Sequence, residues 1–117
     1  MVGSRGRSVL TGAGAFEAVF RHGRRREGDY VQLVSMPAGQ DRGRTGFVIG
    51  RKALPLAVDR NRVRRMLRAL LREAQPAIDG HDLIVRLKRG AQRAEFRLIV
   101  ADAARLLDKL GTPRCAS

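Results

Sequence analysis

The sixteen residues from Asp59 to Ala74 limit what this chain can fold into more than any other stretch. Read as a helix, Val63, Met66, Leu67, Leu70, Leu71 and Ala74 follow the i, i+3, i+4, i+7 spacing and share one face. Arg60, Arg64, Arg68 and Arg72 step by four along another side, and Asn61 and Arg65 fall within that basic face. One side is built to dock on a core and the other to meet something anionic. Arginine is a good helix former, and a charge run on a helix is often only a solvated face. A solvated face, however, mixes signs, because like charges at i, i+4 repel by about 0.2–0.5 kcal/mol per pair. After Asp59 the only acid here is Glu73, so the repulsion is left uncompensated. An anion-binding face is the better reading.

The rest of the composition agrees. Twenty-four basic residues against eleven acidic ones give a net charge of +13. Only Lys52, Lys88 and Lys109 are lysines; the other basic residues are arginines, whose guanidinium forks onto phosphates and stacks on bases. A polyphosphate backbone is the natural partner. An anionic membrane fits less well, since no basic amphipathic helix carries aromatic anchors, and no apolar run is long enough to span a bilayer. The basic N-terminus lacks the apolar segment of a secretory signal. Cys115 stands alone, which excludes an internal disulfide and suits a reducing cytoplasm. At 117 residues with 44% hydrophobic content, the chain reads as one domain with a modest core. Residues 1–10, with Arg5 and Arg7 among Gly and Ser, read as a flexible basic arm, residues 11–111 as the domain and residues 112–117 as a tail.

Within the domain, Thr11 is a plausible cap for a short amphipathic helix carrying Ala15, Phe16, Val19 and Phe20, with Gly23 as a left-handed stop. Phe16 and Phe20 lie one turn apart and read, from residues alone, as core. Arg24-Arg25-Arg26 is an exposed turn or short edge strand. Tyr30 to Met36 and Thr45 to Gly50 alternate as strands, and the turn-rich link 37–43 predicts an antiparallel hairpin between them. Pro55 suits the first turn of the central helix, which Leu56 would extend on its apolar side and Pro76 and Gly80 would close. Asp82 to Lys88 has the apolar run of a central strand. Ala94 to Leu110 is a last amphipathic helix on Phe96, Ile99, Val100, Ala103, Leu106, Leu107 and Leu110. The expected fold is α+β in the order α-β-β-β-α-β-α, a small, mostly antiparallel sheet with helices mainly on one face.

Catalytic machinery is not evident. Asp29, Asp41, Asp59, Asp79 and Asp82 are scattered over loops and element starts, and His22 and His81 sit at element ends. No phosphate-cradling Gly-Lys loop, paired cysteines or Ser-His-Asp set appears. The residues describe a binding subunit.

Three motifs in order resemble the protein subunit of bacterial ribonuclease P: Phe16-Glu17-Ala18-Val19-Phe20-Arg21-His22-Gly23, the strand Gly46–Gly50 ending in Arg51-Lys52, and Arg60-Asn61-Arg62-Val63-Arg64-Arg65. The chain departs from many members in having Leu54-Pro55-Leu56 before the helix, and Leu33 in place of an aromatic in the first long strand. The resemblance implies a left-handed strand–helix–strand crossover, against the usual rule. It also implies an RNA subunit that, with bound magnesium, removes the 5′ leader of precursor tRNA, so the isolated protein should be inactive. Carried over by position, Arg51, Lys52, Arg60, Asn61, Arg62, Arg64, Arg65 and Arg68 contact the catalytic RNA. Phe16, Phe20 and Tyr30 line a cleft for the single-stranded leader, which leaves the two phenylalanines as either core or cleft. The implied partners are the catalytic RNA and precursor tRNA, with no membrane and no obligate protein partner, in the cytoplasm. A small basic ribosomal RNA-binding protein is the alternative.

Overall fold

The apolar run that begins at Leu83 forms the middle of the sheet. In the computed structural model, which describes residues 8–10, 13–38, 43–75, 78 and 80–111, the elements are β1 (Ser8–Val9), α1 (Ala13–His22), β2 (Arg24–Glu27), β3 (Val31–Pro37), β4 (Arg44–Val48), α2 (Ala57–Glu73), β5 (His81–Leu87), a 3-10 turn (Arg93–Glu95) and α3 (Phe96–Gly111). The strand order is β1-β4-β5-β3-β2. Leu83, Ile84 and Val85 are buried, as a strand covered on both faces requires.

This placement overturns the predicted hairpin. β3 and β4 are not neighbours, because β5 lies between them, antiparallel to β3 and parallel to β4. The short link suggested direct pairing, but β5 has the greater apolar demand and takes the central position. Its parallel pairing with β4 requires a crossover, and α2 supplies it. With β1 also parallel to β4, the sheet is mixed, and its antiparallel ladders, β2–β3 and β3–β5, together run longer than its parallel ones, β1–β4 and β4–β5. Ser8–Val9 belong to this sheet, and the buried Leu10 donates its N–H to Thr45 O at 2.8 Å, so the expected arm does not extend to residue 10. Residues 1–7, Thr11, most of the 37–43 link, Pro76, Asp79 and the tail 112–117 lie outside the described residues.

Two helices cover one face of the sheet and the third covers the other. On one face α2 and α3 pack Val63, Leu67, Leu71, Phe96, Ile99, Leu106 and Leu107 over Val31, Leu33, Leu83, Val85 and Leu87. On the other, α1 sets Val19 over Val34 and Ile84, together with Leu10. Side chains alternate across a strand, so β3 and β5 send consecutive residues into different cores. Two glycines hold α1 close to the sheet. A Cβ at Gly23 would lie 2.4 Å from Val19 O and 2.9 Å from Ser35 O, and one at Gly46 would lie 2.5 Å from the Phe16 ring. Gly23 is therefore required for close approach, not as the left-handed stop the helix ending suggested.

The start of α2 also differs from expectation. Leu56 is the N-cap and is 53% exposed, so it does not extend the apolar face; Leu54, 1% exposed, fills that place instead. Pro55 precedes the cap.

Candidate nucleic-acid interface

The two proposed RNA-contact regions lie on different faces of the sheet. On α2 the arginines at steps of four do not form a straight stripe. Four residues turn the helix about 40° beyond one full turn, so the row drifts around the axis. Arg60 falls at the edge of the core, where Nη1 donates to Leu54 O at 2.8 Å and Pro55 O at 3.0 Å. It holds the chain entering the helix, which makes it the least available of the predicted contacts. Arg64 donates to Asn61 Oδ1 at 3.1 Å, tying two of the predicted residues into one unit. Arg68 lies 5.7 Å over the Phe47 ring of β4 and remains exposed. Arg62, Arg65 and Arg72 are exposed, as are Arg51 and Lys52 in the turn where Leu54 N–H donates to Gly50 O. Asp59 is taken by Arg93 at 2.9 Å. Among the described residues no acid forms an ion pair with Arg51, Lys52, Arg62, Arg64, Arg65, Arg68 or Arg72. Six of the eight predicted residues thus lie on α2 and the other two, Arg51 and Lys52, in the turn before it, while Arg60 has a structural task.

On the α1 face, Phe16 and Phe20 are half-buried beside Leu10, Val19, Val34 and Ile84, with Met36 and Val48 next to them. They serve both as packing and as exposed aromatic surface. Arg25 of β2 stands 5.8 Å over the Phe20 ring and donates to Phe20 O at 2.9 Å. The next cross-strand row is polar: Glu27, Gln32 and Arg86 lie opposite one another in register, ending at Val48. Gln32 donates to Glu27 at 2.6 Å and accepts from Arg86 at 3.4 Å, while Lys88 pairs with Glu27 at 2.9 Å. The hydrogen bond from Lys88, then that from Gln32, holds the Glu27 carboxyl below its ordinary range.

Tyr30 does not join the phenylalanines. It packs with the α2–α3 core, its hydroxyl donates to Glu95 at 3.1 Å, and Arg89 lies 5.0 Å over its ring. Alternation along β3 would put Tyr30 on the α1 face with Val34 and Met36, but the residue stands just before the strand, where Asp102 holds its N–H and Glu95 its hydroxyl on the other side. Burial, then the bond to Glu95, pushes its hydroxyl pKa up.

One residue was missed entirely. Asp102 sits on the core side of α3, 6% exposed, and accepts the backbone N–H groups of Tyr30 at 2.8 Å and Val31 at 3.0 Å, with Arg105 pairing beside it. Burial alone would raise its pKa; those two N–H groups and Arg105 outweigh it and hold the carboxyl below its usual range. The readable signal was an acid in the apolar stripe between Ile99 and Leu106. Among the described residues no three acids, histidines or cysteines gather into a metal-binding group, and no helix is long and apolar enough to cross a membrane.

Comparison with known proteins accords with this geometry. Residues 5–111 match the family model described as Ribonuclease P. The chain is 33% identical over 102 residues to the ribonuclease P protein component of Chromobacterium violaceum, covering 87% of this chain and 84% of that protein. It is 37% identical over 92 residues to that of Pseudomonas aeruginosa, covering 78% and 67%. The RNase P protein of Staphylococcus aureus superposes with a TM-score of 0.76 at 19% identity, covering 86% of this chain and 92% of that one. That of Thermotoga maritima gives 0.68 at 24% identity, covering 90% and 97%.

Proposed function

This chain belongs to the ribonuclease P protein family, and from that premise we propose that it binds the catalytic RNA subunit through the basic face of α2 and the 5′ leader of precursor tRNA in the cleft between α1 and the sheet. The observation that carries the reading is the set of acid-free cations, the exposed Arg51, Lys52, Arg62, Arg65 and Arg68 with the half-buried Arg64, opposite a half-exposed aromatic pair on the other face. Cations without protein partners release counterions when they meet phosphates, which supplies sequence-independent affinity. Half-exposed rings offer stacking to unpaired bases. A single small domain can then touch two RNA segments at once.

In this proposal the protein is the positioning subunit of an endoribonuclease that generates the mature 5′ end of tRNA. Magnesium, bound mainly by the RNA subunit, supplies the hydrolytic chemistry. The protein's share is electrostatic. Bringing cations to the junction of two polyanions lowers their repulsion, so less magnesium is needed to hold them together.

The test is cleavage of precursor tRNA at low magnesium by a bacterial ribonuclease P RNA, with and without this chain. Protein-dependent cleavage at the mature 5′ end is expected, with no cleavage by the protein alone at any magnesium concentration. RNA binding without any gain in cleavage would sink the reading and favour a ribosomal role, which co-sedimentation with ribosomes would check.

A further inference from the structure

The α2 face and the aromatic pair leave one basic region without a task. Arg24, Arg25 and Arg26 are consecutive on β2, the edge strand farthest from β1. No acid among the described residues pairs with any of them; Glu27, the nearest, is held by Lys88 and Gln32. Register sends Arg25 to the α1 face, in one row with Val34, Ile84 and Gly46, and places Arg86 on the same face one row further along. Arg24 and Arg26 take the parity of the other face, opposite Ser35 and Leu33, and the Nε of Arg26 is buried without a hydrogen-bond partner.

We propose that Arg25 on the β2 edge, with Arg86 one row along on the same face, forms a second phosphate-binding track, for single-stranded RNA leaving the α1 cleft. This rests on the leader reading above and extends it past Phe20. The pairing of Arg25 with Phe20 selects the ligand class. A guanidinium over a half-exposed ring presents one cation and one stacking surface within a few ångströms, which suits a strand whose bases are free and whose phosphates follow at short intervals. Double-stranded RNA hides its base faces and would use only the charge. The α2 face cannot serve the same segment. It packs on the opposite side of the sheet, and β2 and β4 are three strand spacings apart, about 14 Å. Charged residues on an edge strand also block pairing between sheets. That role does not require Arg25 to be fixed over an aromatic ring by a bond to Phe20 O.

The experiment uses the reconstituted holoenzyme and precursor tRNAs with leaders of increasing length. The wild-type chain should bind more tightly as the leader grows past the cleft. R25Q/R86Q should lose that gain, on the order of tenfold at low salt, and flatten the salt dependence of log K by about 1.4, that is, about 0.7 per phosphate contact for two contacts. Affinity for the RNA subunit alone should stay unchanged, and R25K/R86K should restore most of the loss; thermal melting identifies any variant that is simply misfolded. A length profile for R25Q/R86Q identical to wild type overturns the track. If Phe16→Ala still removes leader dependence in that case, the cleft stands without the track. If Phe16→Ala also changes nothing, the leader reading falls with it.

Discussion

The two faces of the sheet are built to different standards. Under α2 and α3, sixteen buried residues form a continuous core that includes Leu67, Ile99 and Leu106 at 2% exposure or less. Under α1, among the described residues, the buried apolar cluster is Leu10, Val19, Val34 and Ile84, and the two phenylalanines above them remain half open. A face that must keep rings available to a ligand cannot also bury them, so the fold draws its stability from one side and leaves the other for recognition. The two faces therefore respond differently to the same truncation. Leu67→Ala is expected to destabilise the chain by roughly 3–5 kcal/mol, the range for a fully buried leucine. Phe16→Ala, although it removes more atoms, is expected to cost about half as much, because its ring is only partly buried and stands over Gly46. Urea unfolding of both variants tests this. A loss for Phe16→Ala equal to that for Leu67→Ala would make the α1 face an ordinary core.

The same division explains what could be read from the sequence. Periodicity located α2 and α3 well, because both bury one wide stripe against a deep core, and the burial of Val63, Leu67, Leu71, Phe96 and Ile99 matches it. The apolar run of β5 was equally plain. The neighbour relations were not, since alternation says which residues share a face and nothing about which strand lies beside it. Thus β3 and β4 looked like a hairpin until β5 was placed between them. Tyr30 was grouped with the phenylalanines, as alternation along β3 would have it, but it lies before the strand, where bonds to Asp102 and Glu95 turn it to the other core. The basic residues of the candidate site were legible as types and spacing. Their availability was not, because the drift of a four-residue step and the backbone acceptors at Leu54 and Pro55 are tertiary facts.

Asp102 sharpens the contrast from within the deep core. It is the buried charge that ties α3 to the start of β3, and its folded pKa lies below the ordinary value of 3.8. A depressed carboxylate pKa gives stability that is fully present above the unfolded value and is lost as pH falls through it towards the folded one. Stability should therefore decline as pH drops below about 4, and Asp102→Asn should weaken that dependence. Asp102→Ala leaves two buried N–H groups without an acceptor and should cost about 1–3 kcal/mol near neutral pH. Denaturant midpoints across an acid titration measure both effects. An unaltered acid limb in Asp102→Asn would move the linkage to other carboxylates.

The smallest effects come from the α2 arginines, and there the distinction between holding and binding is finest. Arg60 donates to two backbone carbonyls ahead of the helix, whereas Arg65 makes no hydrogen bond or ion pair among the described residues. Arg60→Ala should lower stability by about 1 kcal/mol, as for loss of a charged hydrogen bond that is partly solvated. Arg65→Ala should leave stability within about 0.5 kcal/mol of wild type. Binding should rank the other way: Arg65→Ala weakens affinity for the RNA subunit and reduces the salt slope by about 0.7–0.9, one phosphate contact, while Arg60→Ala changes the slope little. If Arg60→Ala instead flattened the slope as much as Arg65→Ala, its guanidinium would have to exchange the Leu54 and Pro55 carbonyls for a phosphate on binding. The Arg-Asn-Arg segment would then be rearranged by RNA rather than presented to it.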